Sequence, residues 1–241
     1  NLIIHRFYKN IGKHQNIILN VRKEILYPIL GLIFSGNILI FLNFFIELKN
    51  NLIFIILLIS LLPNFLELKI KPGFDKNNLI YFFVIPSILL VSISDITFHY
   101  DAGYYHLNHQ NWLRESNLII GMINIHWTFG MSSIFEYLSS ILWFDNSFKL
   151  IHFLNIIFVH FFYTFLIDNL QHSKNKIIIN SSFLLLIYSI LDNFGINGGR
   201  NGFIYFQGAT KQDTAVAILF IFITRSVFIF LQNKDIQKTD V

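Results

Sequence analysis

The chain has no cysteine, so neither a disulfide frame nor a thiolate metal site can form. It is also short of charge. Only 13% of its residues are Asp, Glu, Lys or Arg, against about a quarter in soluble domains, whose surfaces must face water. With 54% of residues hydrophobic, the chain needs a solvent other than water. No internal repeat of fixed period is visible. The net charge of +4 does not mark a nucleic-acid binder, because the basic residues lie between apolar runs, where they set membrane orientation. The sequence opens at Asn1 without the charged segment, apolar core and small-residue cleavage site of a secretory signal. It is expected to be an internal fragment or processed chain of a longer protein, with helices missing at its ends.

What the chain does have is a series of apolar runs. A spanning helix needs about 20 mostly apolar residues, within a range of roughly 17–25. Residues 25–46 meet this cleanly, as do 148–167. Residues 51–68 carry Pro63 and residues 79–94 carry Pro86, so both are short spans expected to kink or tilt. Residues 176–191 are apolar except for Asn180, Ser181 and Ser182, and residues 213–231 contain Arg225. The expected fold is therefore all-α: a polytopic transmembrane bundle of about six spans.

The positive-inside rule tests that count. With the N-terminus inside, Arg6, Lys9, Lys13, Arg22, Lys23, Lys69, Lys71, Lys76, Lys174, Lys176, Lys234 and Lys238 are cytoplasmic. Lys49, Arg114, Lys149, Arg200 and Lys211 are outside. Twelve against five is a clear bias, and removing any one span would scramble it. The chain then divides into a cytoplasmic segment 1–24, a transmembrane domain 25–231 and a cytoplasmic tail 232–241. Its long outer loops are 95–147 and 192–212.

The first outer loop is far longer than a connection requires. Helical spacing from residue 102 to 116 would put Asp101, Tyr105, Asn108 and Trp112 on one face. A carboxylate, a phenol, an amide and an indole suit a hydroxylated ligand, and they equally suit an interfacial helix with an aromatic belt. Asp101 can act chemically or simply cap a helix. His106 and His109, at i and i+3, can both reach one cation, so a divalent cation is the one cofactor the loop offers. Asn124 and His126 lie in a glycine-rich stretch too polar for a regular span. The apolar run 134–144 that follows is about the length of a half-helix or interfacial helix. A loop of this kind dips toward the bilayer only where protein or a water-filled cavity satisfies its backbone, so a cavity is expected on the outer face.

The second long loop contains Arg200 and Lys211 and ends at Asp213, where a helix starts. The two cations and the helix N-terminus can hold a phosphate; the alternative is a flexible glycine loop with a capping aspartate. Arg225 lies mid-span, where a charge costs at least a few kcal/mol, so it should face a partner or a cavity.

The stretch from Tyr100-Asp101 through Tyr105-His106, with Trp112 and Glu115 after it and then Gly121, Asn124, His126, Phe129-Gly130 and Ser133, resembles a family of bacterial polytopic membrane proteins. Its members read approximately D-[ST]-G-L-Y-H…W…E…G-L-x-N-L-H-x-R-x-G-F-N-S. That family in turn resembles the GT-C superfamily of membrane glycosyltransferases, of the family 39 type. The match covers roughly residues 100–133, with a looser one at 210–217, where Asp213 fits a recurrent D-x-x-x-A helix start. Two departures stand out. Thr128 replaces the arginine of the family's H-x-R, and three candidate spans precede the acidic loop, where GT-C enzymes usually have one.

The resemblance implies an acidic residue beside a polyprenyl-phosphate sugar donor, and that residue is Asp101. The expected function is a glycosyltransferase building cell-surface glycan on the non-cytoplasmic face of a bacterial inner membrane. Asp101 would be the base toward a glycan or lipid-linked acceptor. Tyr105, His106, His109, Trp112, Asn124, His126 and Asp213 would contact substrate, and Arg200 and Lys211 would neutralise the donor phosphate as it leaves. The rival expectations are a glycolipid transporter or flippase and a non-enzymatic subunit of a polysaccharide assembly.

Overall fold

The computed structural model describes residues 23–49, 79–90, 100–130, 132–143, 147–193 and 212–232. Every secondary-structure element among them is helical. Helix α1 is Lys23–Asn43. Helix α2, Ile85–Leu90, is entered through a π-helical turn, Ile80–Val84. A second π-helical turn, Ala102–His106, runs directly into α3, Leu107–Glu115. Two 3-10 turns, Met122–Asn124 and Trp127–Gly130, lead to the short α4, Ile134–Ser140. Three long helices follow: α5 (Ile151–His172), α6 (Lys176–Asn193) and α7 (Asp213–Gln232).

Helix α5 is apolar around most of its circumference, and a helix of that kind must be enclosed. Helices α1, α2, α4, α6 and α7 all pack against it. Phe161 and Phe165 of α5 each meet Phe222 of α7 edge to face, with ring centroids 5.4 Å apart. The outer helices do the reverse and leave Phe41, Phe83, Leu184 and Phe220 exposed. Among the described residues, two helices, Ile25–Asn43 and Ile151–His172, are long and apolar enough to cross a membrane, and Ile80–Leu90 and Lys176–Leu191 are shorter apolar helices. Of the expected spans, residues 51–68 lie outside the described residues.

Two expected boundaries shift. The run 148–167 is helical from Ile151 on to His172, past the charged Asp168, where an apolar scan stops. Asp168 is accommodated because the Tyr81 hydroxyl donates to its carboxylate and His172 sits 3.1 Å from it, one turn on. The run 134–144 is helical only as far as Ser140, a length that reaches about 10 Å at 1.5 Å per residue and cannot cross a bilayer.

The end of α1 is tied to the end of α3. Asn43, fully buried, donates from Nδ2 to the carbonyls of Ile46, Leu113 and Ser116, each at 3.2 Å. Leu48 and Lys49 donate their amides to Leu113 and Arg114 at 3.0 and 3.2 Å. These bonds satisfy carbonyls that the last turn of a helix leaves without intrahelical partners. Helix α1 also lies close against α4. A Cβ on Gly36 would come within 2.1 Å of the Ile134 side chain, so only glycine allows that approach.

Candidate functional site

The site grows from the first turn of α4. Ser133 has extended backbone and caps the helix, its Oγ accepting from the Glu136 amide at 3.4 Å. The cap fixes the direction in which α4 departs and turns the Glu136 side chain inward, where it is 3% exposed. Its two oxygens meet two imidazoles. His109 Nδ1 donates to Oε2 at 2.8 Å, and His106 Nδ1 donates to Oε1. Burial pushes the Glu136 carboxyl up, but the hydrogen bonds from the two histidines outweigh it and hold it below the usual carboxylate range.

The π-helical turn explains why the two histidines share one partner. The Leu107 amide bonds back to the Ala102 carbonyl, five residues earlier, which opens the helix relative to a 100° repeat. The stripe facing α4 then becomes His106, His109, Gln110, Leu113 and Arg114, all buried. The expected face of Asp101, Tyr105, Asn108 and Trp112 is thereby corrected. Asn108 is exposed and folds its amide back onto the Gly103 and Tyr104 carbonyls at 3.1 and 3.2 Å.

Further along the buried stripe, Gln110 accepts from the Trp143 indole at 3.0 Å. Arg114 donates from Nη1 to the Ser140 and Trp143 carbonyls at 3.0 and 3.1 Å. Its guanidinium lies 5.1 Å from the centre of the Trp143 ring. A cation against the last carbonyls of α4 satisfies that helix end. Together these contacts lock α3 to α4 and so hold the histidines in place.

On the other side of His106 stands Tyr105, with ring centroids 4.2 Å apart. The Tyr105 hydroxyl is pushed up by burial and then by the negative charges of Asp101, Glu136 and Asp213. Carboxylates from three separate elements therefore act on one phenol. Asp101 is half-buried and makes no capping bond to the turn that follows it. Asp213 is the first residue of α7, and a hydrogen bond between Ser133 Oγ and the Gln212 side chain ties the residue before α7 to the residue before α4. Arg200 and Lys211 lie outside the described residues.

A cavity of about 210 Å³ opens beside α3. His109, Trp112, Leu113 and Ser116 line one wall, and the segment from Asn117 to Ser132 supplies the other. Gly121 permits the turn at its rim, with a φ of +88° that favours glycine over residues with a Cβ. Trp112 and Phe129 meet edge to face within this lining, at 4.5 Å between centroids. His126 lies outside it, packed against Tyr104 at 5.9 Å and joined through Nδ1 to the Thr128 hydroxyl at 2.6 Å. Thr128, which stands where the resembling family has arginine, is buried. Asn124 is exposed in its 3-10 turn.

The structure thus gathers Asp101, Tyr105, His106, His109, Trp112 and Asp213 about the α3–α4 junction, with His126 at its edge and Asn124 turned away. Glu136 is the residue that inspection for conspicuous motifs passed over. Two signals pointed to it: it is the one charge in an apolar run, and it stands three residues after Ser133 in the pattern of a capping box. The histidine pair does converge on one group as its spacing allows, but that group is a carboxylate. Among the described residues no group of three or more His, Asp or Glu side chains is disposed to hold a metal ion.

A second polar contact lies in the bundle. Arg225 of α7 donates from Nη2 to Asn169 Oδ1 of α5 at 2.6 Å, with its guanidinium 5.0 Å from the Phe165 ring centre.

No curated protein and no solved structure matches the chain. Residues 2–239 match a family described as a domain of unknown function, DUF8201, and the chain belongs to that family.

Proposed function

We propose that this member of the family is the membrane-embedded part of a glycosyltransferase, which moves a sugar from a polyprenyl-phosphate donor to a hydroxyl acceptor on the non-cytoplasmic face. The membrane reading is supported by the enclosed α5 within helices whose large apolar side chains face outward. Surfaces of that kind are incompatible with water in bulk. The six-span arrangement is supported by the twelve-to-five distribution of Lys and Arg.

The observation that carries the chemical reading is the buried Glu136 carboxylate held between His106 and His109 where α3 meets α4. Beside it, burial and then the charges of Asp101, Glu136 and Asp213 push the Tyr105 hydroxyl up. A membrane protein has little reason to collect carboxylates at the end of a bundle unless a ligand or reaction uses them. In this reading Asp101 stands beside the donor, as the resemblance to GT-C enzymes suggests. Arg200 and Lys211 neutralise the departing phosphate. The partners are the polyprenyl-phosphate sugar, a glycan or lipid-linked acceptor and the bilayer.

The test is transfer from polyprenyl-phosphate sugars by the full-length protein in membranes, with expression matched between variants. Asp101→Asn is expected to lower turnover by about 10²-fold or more, the range of positioned acid–base and electrostatic groups. Turnover at the wild-type rate would remove Asp101 from the site.

A second reading, transport of a glycolipid, is favoured by Arg225, because a guanidinium held between Asn169 and Phe165 within the bundle is typical of a transport pathway. Translocation of a labelled glycolipid by reconstituted vesicles, abolished in Arg225→Leu with no sugar transfer in wild type, would select it.

A further inference from the structure

We propose that the cavity beside α3 seats a neutral pyranose unit of the acceptor, and that His109, oriented by Glu136, takes the proton from its reacting hydroxyl. This rests on the transferase reading and assigns the proton-accepting step to an imidazole in place of Asp101.

The first argument is the lining. Among its thirteen described lining residues there is no Lys, Arg, Asp or Glu, and His109 is the only titratable side chain among them. A phosphate or sugar nucleotide would find no cation there. An isoprenoid chain would leave the Asn117 amide without a partner, at a cost of about 1–3 kcal/mol, and would bring no group to the hydroxyls of Ser116 and Ser132, which already bond the Trp112 carbonyl and Tyr137. A pyranose ring satisfies both halves of the wall: hydroxyls for the polar groups and an apolar C–H face for Trp112 and Phe129. The volume of about 210 Å³ suits a single sugar unit.

The second argument is the pairing of His109. Because Nδ1 carries the hydrogen donated to Glu136, the neutral ring has its lone pair on Nε2. Among the described residues no hydrogen-bond partner occupies Nε2, and His109 lines the cavity. A buried carboxylate behind an imidazole fixes its tautomer and stabilises the imidazolium that forms when the other nitrogen accepts a proton. His106 holds the second oxygen of Glu136 and so keeps the carboxylate from rotating away.

The balanced step is simple. The acceptor O–H proton passes to His109 Nε2 while the oxygen forms the new bond to the anomeric carbon of the donor. The bond from that carbon to phosphate breaks, its electron pair leaves with the polyprenyl phosphate, and His109 later releases its proton to water.

Two measurements on the full-length protein in nanodiscs decide this. In the first, diethyl pyrocarbonate labels His109, and mass spectrometry follows its rate with and without a panel of methyl hexopyranosides. At least one glycoside is expected to slow labelling about fivefold or more, and Trp112→Leu is expected to lose that protection. If no glycoside protects, the cavity is not a saccharide site and the proposal is overturned.

The second is the pH profile of transfer. His109→Gln should lower kcat by about 10²–10⁴-fold and remove the acid limb. Trp112→Leu should raise KM and leave that limb in place, and it also serves as the reporter should His109→Gln fail to fold. Transfer by His109→Gln at the wild-type rate and with the wild-type limb would overturn the base role while leaving the transferase reading intact. Protection of His109 by a glycoside without transfer from any polyprenyl-phosphate donor would instead overturn the transferase reading, and the base role with it, and leave the saccharide site standing.

Discussion

His109 Nδ1 and Glu136 Oε2 lie 2.8 Å apart although 27 positions separate the two residues in the chain. The histidine belongs to a conspicuous polar motif and the glutamate to an apolar run. Their contact, with His106 on the other carboxylate oxygen, joins α3 to α4 and defines the floor of the site.

That contact makes stability depend on pH in a stated direction. The Glu136 carboxyl is held below its ordinary value in the folded state, because its histidine partners outweigh the effect of burial. A depressed carboxylate contributes stability that is complete above its unfolded value, about 4.3. The contribution is lost as pH falls through the lower folded value. The thermal midpoint of the protein in nanodiscs should therefore drop across that acid window. Glu136→Gln should be less stable at neutral pH by about 3 kcal/mol, since breaking one side of a buried pair strands the other, and its midpoint should vary less with acid. An identical acid dependence in wild type and Glu136→Gln would show that the carboxylate is not ionised against the histidines.

Gly36 provides a test of packing. A Cβ there would lie 2.1 Å from Ile134 Cγ2, a distance that forces α1 and α4 apart. Gly36→Ala is expected to destabilise the protein by about 1–3 kcal/mol, the usual cost of overpacking. Ile134→Ala, combined with it, should recover part of the loss. Strict additivity of the two substitutions in unfolding measurements would mean that the helices do not meet at this point.

The contact between Arg225 and Asn169 is open to a double-mutant cycle. With the guanidinium donating at 2.6 Å, Arg225→Leu and Asn169→Ala should show a coupling of about 1 kcal/mol, within the span found for polar contacts between membrane helices. Arg225→Lys keeps the charge and loses the planar fork, so it should behave more like Arg225→Leu than like wild type. Zero coupling in detergent-to-denaturant titrations would detach Arg225 from α5.

The long helices were legible because apolar length and basic flanks are local properties: α1, α5, α6 and α7 all fall on expected runs. The interior of the 100–143 segment was less so. A regular 100° repeat assigns Asn108 to the same face as Tyr105, and the π-helical turn at Ala102–His106 breaks that repeat. No single-residue propensity signals a π-turn, and this one ends at His106, which shares the Glu136 carboxylate with His109. Glu136 was hidden for a related reason. Hydropathy averages a lone charge away, whereas its significance lies in a partner many residues upstream. Asp168 ended an expected span for the opposite reason: counted as a charge, it reads as water-facing, although Tyr81 and His172 accommodate it inside the helix.

The membrane topology is directly testable because the chain has no cysteine of its own. If both termini are cytoplasmic, as the distribution of Lys and Arg suggests, Glu47→Cys in the turn after α1 should react with an impermeant maleimide added outside intact cells. Thr239→Cys should react only after permeabilisation. Labelling in the reverse order would invert the topology and move the proposed site to the cytoplasmic face. Equal labelling of both positions from outside would remove a span from the count.

The joining of the two outer segments is the relationship on which the site most depends. Ser133, at the start of α4, bonds the side chain of Gln212, the residue just before Asp213 and α7. The Asp213 charge adds to that of Asp101 in pushing the Tyr105 hydroxyl up, and this junction fixes the start of the helix that carries Asp213. Ser133→Cys and Gln212→Cys, introduced as a pair, should be joined rapidly by a short bis-methanethiosulfonate, and each alone should give no intramolecular product. Because a hydroxyl–amide bond at the edge of a site is worth only about 1 kcal/mol, the paired substitutions should fold, so the linkage reports geometry and not collapse. If the proposed transferase uses both aspartates, linking should not lower turnover below that of the unlinked pair, which has already lost the Ser133 cap on α4, because the link holds the segments where catalysis needs them. Failure to link in a folded protein would separate Asp213 from the site and leave Asp101, Tyr105 and the Glu136–histidine cluster to act without α7. Efficient linking accompanied by loss of turnover would mean that the two segments must part during the cycle.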